Sequence, residues 1–89
     1  MDPKKNRITK CRPEPKYHVW IQFEDGLEGI VNLNDLLEKP AFKEAWKSVK
    51  NFNQVRVSPF THTLTWGEGD TEVDINPSEL RKEILNQKI

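Results

Sequence analysis

The sequence is poor in cysteine: among its 89 residues, only Cys11 carries a thiol. No intramolecular disulfide can form, and a cysteine-rich metal site is excluded. Long apolar runs are also missing, because no segment approaches the roughly 20 apolar residues that span a bilayer, and the N-terminus lacks the apolar core of a signal peptide. Together these absences predict a soluble protein of the reducing cytoplasm.

A net charge is likewise absent, because fourteen Lys and Arg residues balance fourteen Asp and Glu residues. The molecule therefore lacks the long-range positive field of a typical nucleic-acid-binding protein, which argues against nucleic acid as its partner. The charge is unevenly placed, since residues 1–16 carry six basic and two acidic side chains, about +4 in total. We interpret residues 1–6 as a flexible basic tail and residues 7–89 as one domain, because a chain of this length can bury one modest core.

Motifs that carry catalysis or bind metals are lacking as well. Cys11, His18 and His62 show none of the spacings typical of a zinc site or of a Cys–His nucleophile. Gly67 and Gly69 precede a predicted strand rather than a helix, which is not the order of a phosphate-binding loop. We therefore expect no enzymatic activity, no catalytic residue, no metal site and no cofactor. A turn and the polar side of a strand explain four neighbouring carboxylates without a ligand: Glu68, Asp70, Glu72 and Asp74.

Alternating side chains predict a hairpin in the first third of the chain. Residues 7–11 are read as a short first strand that Pro13 and Pro15 end, because proline cannot donate to a sheet ladder. In residues 18–23 three apolar side chains point one way and three other side chains point the opposite way. The first set is Val19, Ile21 and Phe23, and the second is His18, Trp20 and Gln22.

The pair Asp25-Gly26 favours a two-residue type I′ turn, because both residues tolerate the positive φ angles of that turn. Such a turn places Ile21 opposite Ile30 and Trp20 opposite Val31. It also places Gly29 opposite Gln22, where the missing side chain indicates the close approach of another segment. The first core face is then expected to contain Val19, Ile21, Phe23 and Ile30.

Three tryptophans are a large complement for so small a core, and we expect at least two of them to be buried. Trp20 faces away from the predicted core face, so it either lies under a helix or forms an exposed anchor for a partner. In the second case, the candidate partner-binding residues are Trp20, Gln22 and Val31.

The hydrophobic period changes to a helical one after this hairpin. Leu33, Leu36 and Leu37 lie at helical spacing behind Asn32, which can cap a helix. Pro40 can open a second short helix, because proline suits the first helical position. One face of this second helix is predicted to hold Phe42, Ala45, Trp46 and Val49.

Lys39, Lys43 and Lys47 recur every four residues on the opposite side of the second helix. Such a stripe is more typical of a solvated helix face than of a phosphate-binding track. If the three lysines do contact nucleic acid together with the basic N-terminus, the protein is a nucleic-acid-binding accessory protein. That alternative remains open at this point.

The second half of the sequence predicts three more strands and a helix. Residues 52–58 are read as a strand with Val55 and Val57 inward, residues 61–66 as a second strand, and residues 71–75 as a third strand after a glycine-framed turn. The helix has a capping-box start, with Asn76 as N-cap, Pro77 at N1 and Glu79 at N3, and Leu80 and Ile84 one turn apart. It is expected to run from residue 77 to about residue 86.

The combination of these segments resembles the bacterial domain of unknown function 2442 family. The resemblance covers residues 8–84 and is specific in the order of its pieces. It rests on YHVWIQFEDGLEGIVNLNDLL, on Phe42 and Trp46 within AFKEAW, on FNQVRVSPFTHTLTWGEG and on EVDINPSEL.

The resemblance implies an α+β fold, with a small antiparallel sheet of hairpins, two short central helices and a C-terminal helix. It also implies no established enzymatic activity, and gene neighbourhoods that look like those of toxin–antitoxin modules. We therefore expect a small non-catalytic protein-interaction module whose partner is a small protein encoded nearby. An antitoxin-like or accessory member of a two-gene module is the form of this expectation that the resemblance implies. A homodimer is the alternative partner, because exposed strand edges and apolar side chains on both hairpin faces need covering.

Overall fold

The computed structural model describes residues 7–67 and 72–87. The predicted tail at residues 1–6 and residues 68–70 of the predicted turn lie outside the described residues. The fold is α+β, as predicted, with two three-stranded antiparallel sheets, short helices and a C-terminal helix. Sheet A contains β1 (Ile8–Glu14), β2 (His18–Phe23) and β3 (Glu28–Asn32), and sheet B contains β4 (Arg56–Val57), β5 (Leu64–Trp66) and β6 (Val73–Ile75). The helical segments are a 3₁₀ helix (Asn34–Glu38), α1 (Pro40–Ala45), α2 (Val49–Phe52) and α3 (Pro77–Gln87).

Strand β1 continues through Pro13 to Glu14, so the prediction that the prolines end it near Cys11 was wrong. The amide of Phe23 donates to the carbonyl of Leu27. The backbone N–H and C=O groups of odd-numbered β2 residues therefore point towards β3, and those of even-numbered residues point towards β1. Pro13 pairs with the odd-numbered Val19. The missing N–H of Pro13 therefore lies on the outer edge of the sheet, where no ladder hydrogen bond is lost.

The turn between β2 and β3 has three residues, not the predicted two. The amide of Phe23 donates to Leu27 at 2.8 Å, the amide of Gly26 donates to the Phe23 carbonyl at 3.0 Å, and Gly26 has a φ of +94°. This is a type I turn followed by a left-handed glycine, the commonest three-residue hairpin loop. The extra loop residue shifts the strand register by one, so that Trp20 pairs with Ile30 rather than with Val31.

The register shift exchanges the faces of β3, because neighbouring strand residues point in opposite directions. Val31 is buried opposite Val19 in the core, whereas Ile30 is 42% exposed on the other face. Placing Ile30 in the first core face was therefore wrong.

Gly29 is approached closely by another segment, as predicted, although it pairs with Ile21 instead of Gln22. A Cβ atom at this position would lie 3.0 Å from Cγ2 and 3.1 Å from Cγ1 of Ile84 on α3. The bare backbone of Gly29 lets α3 pack directly against sheet A.

The middle of the chain forms three short helical segments where two were predicted. Phe42, Ala45 and Trp46 pack against the core, but Val49 is 67% exposed and begins the separate helix α2. Ser48 caps α2, because its Oγ accepts a hydrogen bond from the amide of Asn51. The predicted strand over residues 52–58 was therefore mostly wrong, since Phe52 belongs to α2 and β4 contains only Arg56–Val57.

An aromatic cluster joins the helices to sheet B. Trp46 and Trp66 are 1% and 0% exposed, which confirms the prediction that at least two tryptophans are buried. Their ring centroids lie 4.9 Å apart, and the ring of Phe52 lies 5.0 Å from Trp46 and 5.8 Å from Trp66. The indole Nε1 of Trp66 donates to the carbonyl of Phe52 at 2.9 Å, which ties β5 to α2.

Helix α3 begins where the sequence predicted. The amide of Ser78 donates to Oδ1 of Asn76 at 2.9 Å, and Leu80 and Ile84 are buried. None of the helices within the described ranges is long and apolar enough to cross a membrane.

Candidate interaction surface

The face of sheet A that points away from the core carries nine side chains in three rows, which we call the outer face. Directly paired residues of an antiparallel sheet project to the same side, so each row contains one residue from each strand. All nine side chains are exposed or half-buried. The rows are Lys10–Gln22–Glu28, Arg12–Trp20–Ile30 and Glu14–His18–Asn32.

A β-bulge sets the side chain of Lys10 on this face. The pairing shifts between Ile8 and Lys10, so that the two residues do not share a face although they are two positions apart. Ile8 is fully buried, whereas Lys10 is exposed.

Trp20 forms the centre of the outer face and is half-buried between its two neighbours. The guanidinium carbon of Arg12 lies 5.2 Å from the centroid of the Trp20 ring, within the range of a cation–π contact. Nε of Arg12 also donates to Oε2 of Glu14 at 2.7 Å. With Ile30 on the other side of the ring, the centre of the face is apolar and is bordered by charge.

The predicted partner-binding residues separate into two groups. Trp20 and Gln22 both lie on the outer face, and Nε2 of Gln22 donates to Oε2 of Glu28 at 3.1 Å. Val31 is 0% exposed in the core and cannot contact a partner in this structure. Sequence reasoning missed Ile30, because only the true length of the Asp25-Gly26 loop places it beside Trp20. It missed Arg12 because the predicted first strand ended at Cys11.

The free edge of β3 is covered by side chains of α3. Oε2 of Glu83 accepts from the amide of Asn32 at 2.7 Å, and Nε2 of Gln87 donates to the carbonyl of Ile30 at 2.8 Å. These residues are one helical turn apart, so a single face of α3 satisfies two backbone groups of the edge. A partner strand cannot add there without displacing both side chains.

The opposite edge, on β1, is also a poor template for strand addition. Pro13 presents no N–H to a new strand, and the amide of Ile8 already donates to the carbonyl of His62 at 3.1 Å. With both edges of sheet A obstructed in this way, the outer face is its accessible surface for a partner.

The three predicted nucleic-acid contacts do not form one helical stripe. Lys39, Lys43 and Lys47 are all exposed, but α1 ends at Ala45 and only Lys43 lies within it. Nζ of Lys47 lies 3.6 Å from Oε1 of Glu44. Nucleic-acid binding by these lysines stays a prediction.

Several of the residues considered for nucleophile or metal chemistry make structural contacts. Nδ1 of His18 lies 3.0 Å from the carbonyl oxygen of Lys16, and Glu72 pairs with Arg56 at 3.5 Å. Cys11 is half-buried, and burial raises the pKa of its thiol, which keeps it protonated and weakly nucleophilic. Within residues 7–67 and 72–87, no group of three or more His, Cys, Asp or Glu side chains is arranged to hold a metal ion.

A groove lies between the β1–β2 turn and α2. This groove has a volume of about 570 Å³ and a largely apolar lining that includes Pro13, Tyr17, Val49 and Phe52. Lys16 and Tyr17 both have a φ of 61°, a left-handed conformation that costs non-glycine residues conformational energy. Nδ2 of Asn34 donates to the Lys16 carbonyl at 2.8 Å and helps to hold this turn in place.

Comparison with known proteins gives one family and no close relative. The family model described as "Protein of unknown function (DUF2442)" matches residues 8–86, nearly the range that the quoted motifs cover. No curated protein and no solved structure shows a significant match. The family match spans almost the whole chain, from β1 to the last turn of α3, and the protein therefore belongs to the DUF2442 family.

Proposed function

We propose that this protein is a small non-catalytic protein-interaction module that binds its partner through the outer face of sheet A. The observation that carries the proposal is Trp20, a tryptophan at the centre of an uncovered sheet face with Arg12 and Ile30 on either side. Aromatic and arginine side chains are enriched among the residues that dominate binding energy at protein interfaces. The obstructed edges of sheet A direct binding to the face rather than to strand addition.

We further propose that the module acts in the cytoplasm as an antitoxin-like or accessory member of a bacterial two-gene module. Its natural partner is then a small protein encoded nearby. The two-gene module is supported by the family resemblance, and the cytoplasmic location by the single half-buried cysteine.

The proposal is tested by affinity capture from the native host with three versions of the tagged chain. The wild type is compared with Trp20→Thr, which removes the central ring but keeps a β-branched side chain suited to a strand. The matched control is Phe60→Thr, because Phe60 is also an exposed aromatic residue, at 90% exposure, and lies outside sheet A. Circular dichroism first establishes that all three chains are folded.

We expect one protein to be recovered in stoichiometric amount by the wild type and by Phe60→Thr, at both low and high salt, and to be lost with Trp20→Thr. Equal recovery by all three chains would contradict the assignment of the outer face. Recovery of nucleic acid alone, disappearing at high salt, would replace the proposal with the nucleic-acid alternative, because counterion release makes such binding strongly salt-dependent.

A further inference from the structure

The outer face carries opposite charges on its two margins. In the row through Gln22, Lys10 lies on β1 at one margin and Glu28 lies on β3 at the other. The two strands are separated by two strand spacings, about 10 Å, and the side chain of Gln22 stands between them. Glu28 accepts a hydrogen bond from Gln22. The positive and negative margins are thus both available to charges on another molecule.

This arrangement is complementary to itself when two copies are related by a two-fold axis parallel to the strands. Such an axis lays β1 of one copy over β3 of the other and keeps each row opposite the same row. Lys10 then faces Glu28 of the second copy, and the symmetry repeats that ion pair on the other side of the axis. Trp20 faces Trp20 of the second copy at the centre, and Arg12 faces the exposed Ile30.

A two-fold axis across the strands gives a poorer match. It lays β1 over β1, so that the guanidinium of Arg12 opposes the same group of the second copy, and like charges placed opposite one another are repulsive. It brings Lys10 opposite Glu14 of the second copy, but that carboxylate is already paired with Arg12 at 2.7 Å, and it places Glu28 against Asn32 rather than against a cation.

We infer that the occupant of the outer face is a second copy of this chain, docked face to face with Trp20 at the centre and with Lys10–Glu28 ion pairs at both margins. This inference rests on the proposed function, since it uses the same surface. It assigns that surface to a second copy of the chain, so a separately encoded protein that binds the outer face has to displace that copy. A standard interface buries roughly 800 Å² per partner, and the outer face has only nine side chains, so self-association is tested up to high micromolar concentration.

Charge reversal gives a test that a merely structural role of these residues does not reproduce. Lys10→Glu leaves both margins negative, and Glu28→Lys leaves both margins positive. Each variant alone is expected to weaken self-association by roughly tenfold or more, because two ion pairs become two repulsions. The double variant exchanges the charges and is expected to recover the wild-type dissociation constant.

An equimolar mixture of the two single variants is the sharpest measurement. Every Glu of one chain then faces a Lys of the other, so the mixture is expected to form heterodimers more tightly than either variant forms homodimers. Sedimentation velocity from about 1 to 500 μM compares the wild type, the two single variants, the double variant and the mixture. Low ionic strength is used because salt screens charge pairs. Lys43→Glu on α1 serves as a control for a charge reversal outside the face.

A wild-type chain that stays monomeric throughout this range would overturn the inference, as would a mixture that associates no better than its components. Neither result touches the proposed function if Trp20→Thr still abolishes capture of a different protein from the host. If the chain is monomeric and its captured proteins do not depend on Trp20, both the dimer and the interaction module are wrong.

Discussion

The two sheets each contain a tryptophan on their central strand, and the two tryptophans have opposite surroundings. On β5, all three residues are buried, and Trp66 is packed between Trp46 and Phe52 with its Nε1 hydrogen-bonded to a carbonyl. On β2, Trp20 is half-buried, with Arg12 and Ile30 of its own sheet beside its ring.

The difference lies in what the chain places over each sheet. The helices that follow β3 bring Trp46 and Phe52 onto sheet B, and α3 packs on the inner face of sheet A through Ile84. Neither the central helices nor α3 buries the outer face of sheet A, whose side chains are exposed or half-buried. The same residue type therefore stabilises the fold at one centre and is available for binding at the other.

The largest effect is expected for Trp66→Ala. This change removes the ring that links β5 to α2 and leaves a cavity in the aromatic cluster, which typically lowers the free energy of unfolding by about 3–5 kcal/mol. A domain with a total stability of about 5–15 kcal/mol would be close to unfolding. Urea denaturation followed by far-UV circular dichroism measures the loss, and a loss below about 1 kcal/mol would contradict the burial of Trp66.

A smaller effect is expected for Gly29→Ala, which tests the contact between sheet A and α3. The new methyl group would meet Ile84 at 3.0 Å, and overpacking of this kind costs about 1–3 kcal/mol. In an Ile84→Ala background the obstructing atoms are gone, so the same substitution should cost little or even stabilise the strand. A double-mutant cycle with no coupling between the two positions would show that α3 does not press on Gly29.

A smaller loss of stability than for Gly29→Ala is expected for Asp25→Asn at the hairpin loop. Both Nη atoms of Arg81 donate to the Asp25 carboxylate, one at 2.6 Å, and these hydrogen bonds hold the pKa of the Asp25 carboxyl below its ordinary value. Because the Asp25 side chain is 35% exposed, solvent screens the pair, and we expect a loss of only about 1 kcal/mol at pH 7.

The sign of its pH dependence follows from the lowered pKa of Asp25. A carboxyl whose pKa is lower in the folded state stabilises the fold at pH values above its unfolded pKa, about 3.9, and loses that contribution as the pH falls through the folded pKa. The difference between wild type and Asp25→Asn should therefore be constant from pH 7 to pH 5 and shrink below about pH 4. Urea denaturation at these pH values measures it, with Glu24→Gln in the same loop as the control, and a difference that grows on acidification would contradict the ion pair.

Much of this fold could be predicted from local patterns, and the main error came from one turn. Alternation identified the buried face of β2, and the Asn76-Pro77 pair identified the start of α3. An Asp-Gly pair, however, suits both a two-residue and a three-residue hairpin loop. The choice between them depends on how β3 packs against α3. That packing involves residues far apart in the sequence, since Gln87 donates to the carbonyl of Ile30, 57 positions away.

The length of the loop between β2 and β3 also decided which residues of the outer face could be predicted from the sequence. With the two-residue turn, Val31 joined Trp20 on the exposed face, whereas the actual register puts Ile30 there and Val31 in the core. Arg12 was missed because the two prolines led the sequence analysis to end the first strand at Cys11, whereas β1 continues through Arg12 and Pro13 to Glu14.

The smallest effect on stability is expected for Trp20→Thr, which tests the other side of the comparison. Cross-strand pairs contribute about 0.2–1 kcal/mol each relative to alanine, and Trp20 has two, with Arg12 and Ile30. Because threonine retains part of both contacts, the free energy of unfolding should fall by about 1 kcal/mol or less. Fluorescence gives an independent measurement in dilute solution, where chains are separate. The emission that remains comes from Trp46 and Trp66, which are 1% and 0% exposed, and acrylamide should quench it far less than it quenches the wild type. A loss above about 2 kcal/mol, or unchanged quenching, would show that Trp20 belongs to the core like Trp66, and the outer face would then lose its central residue.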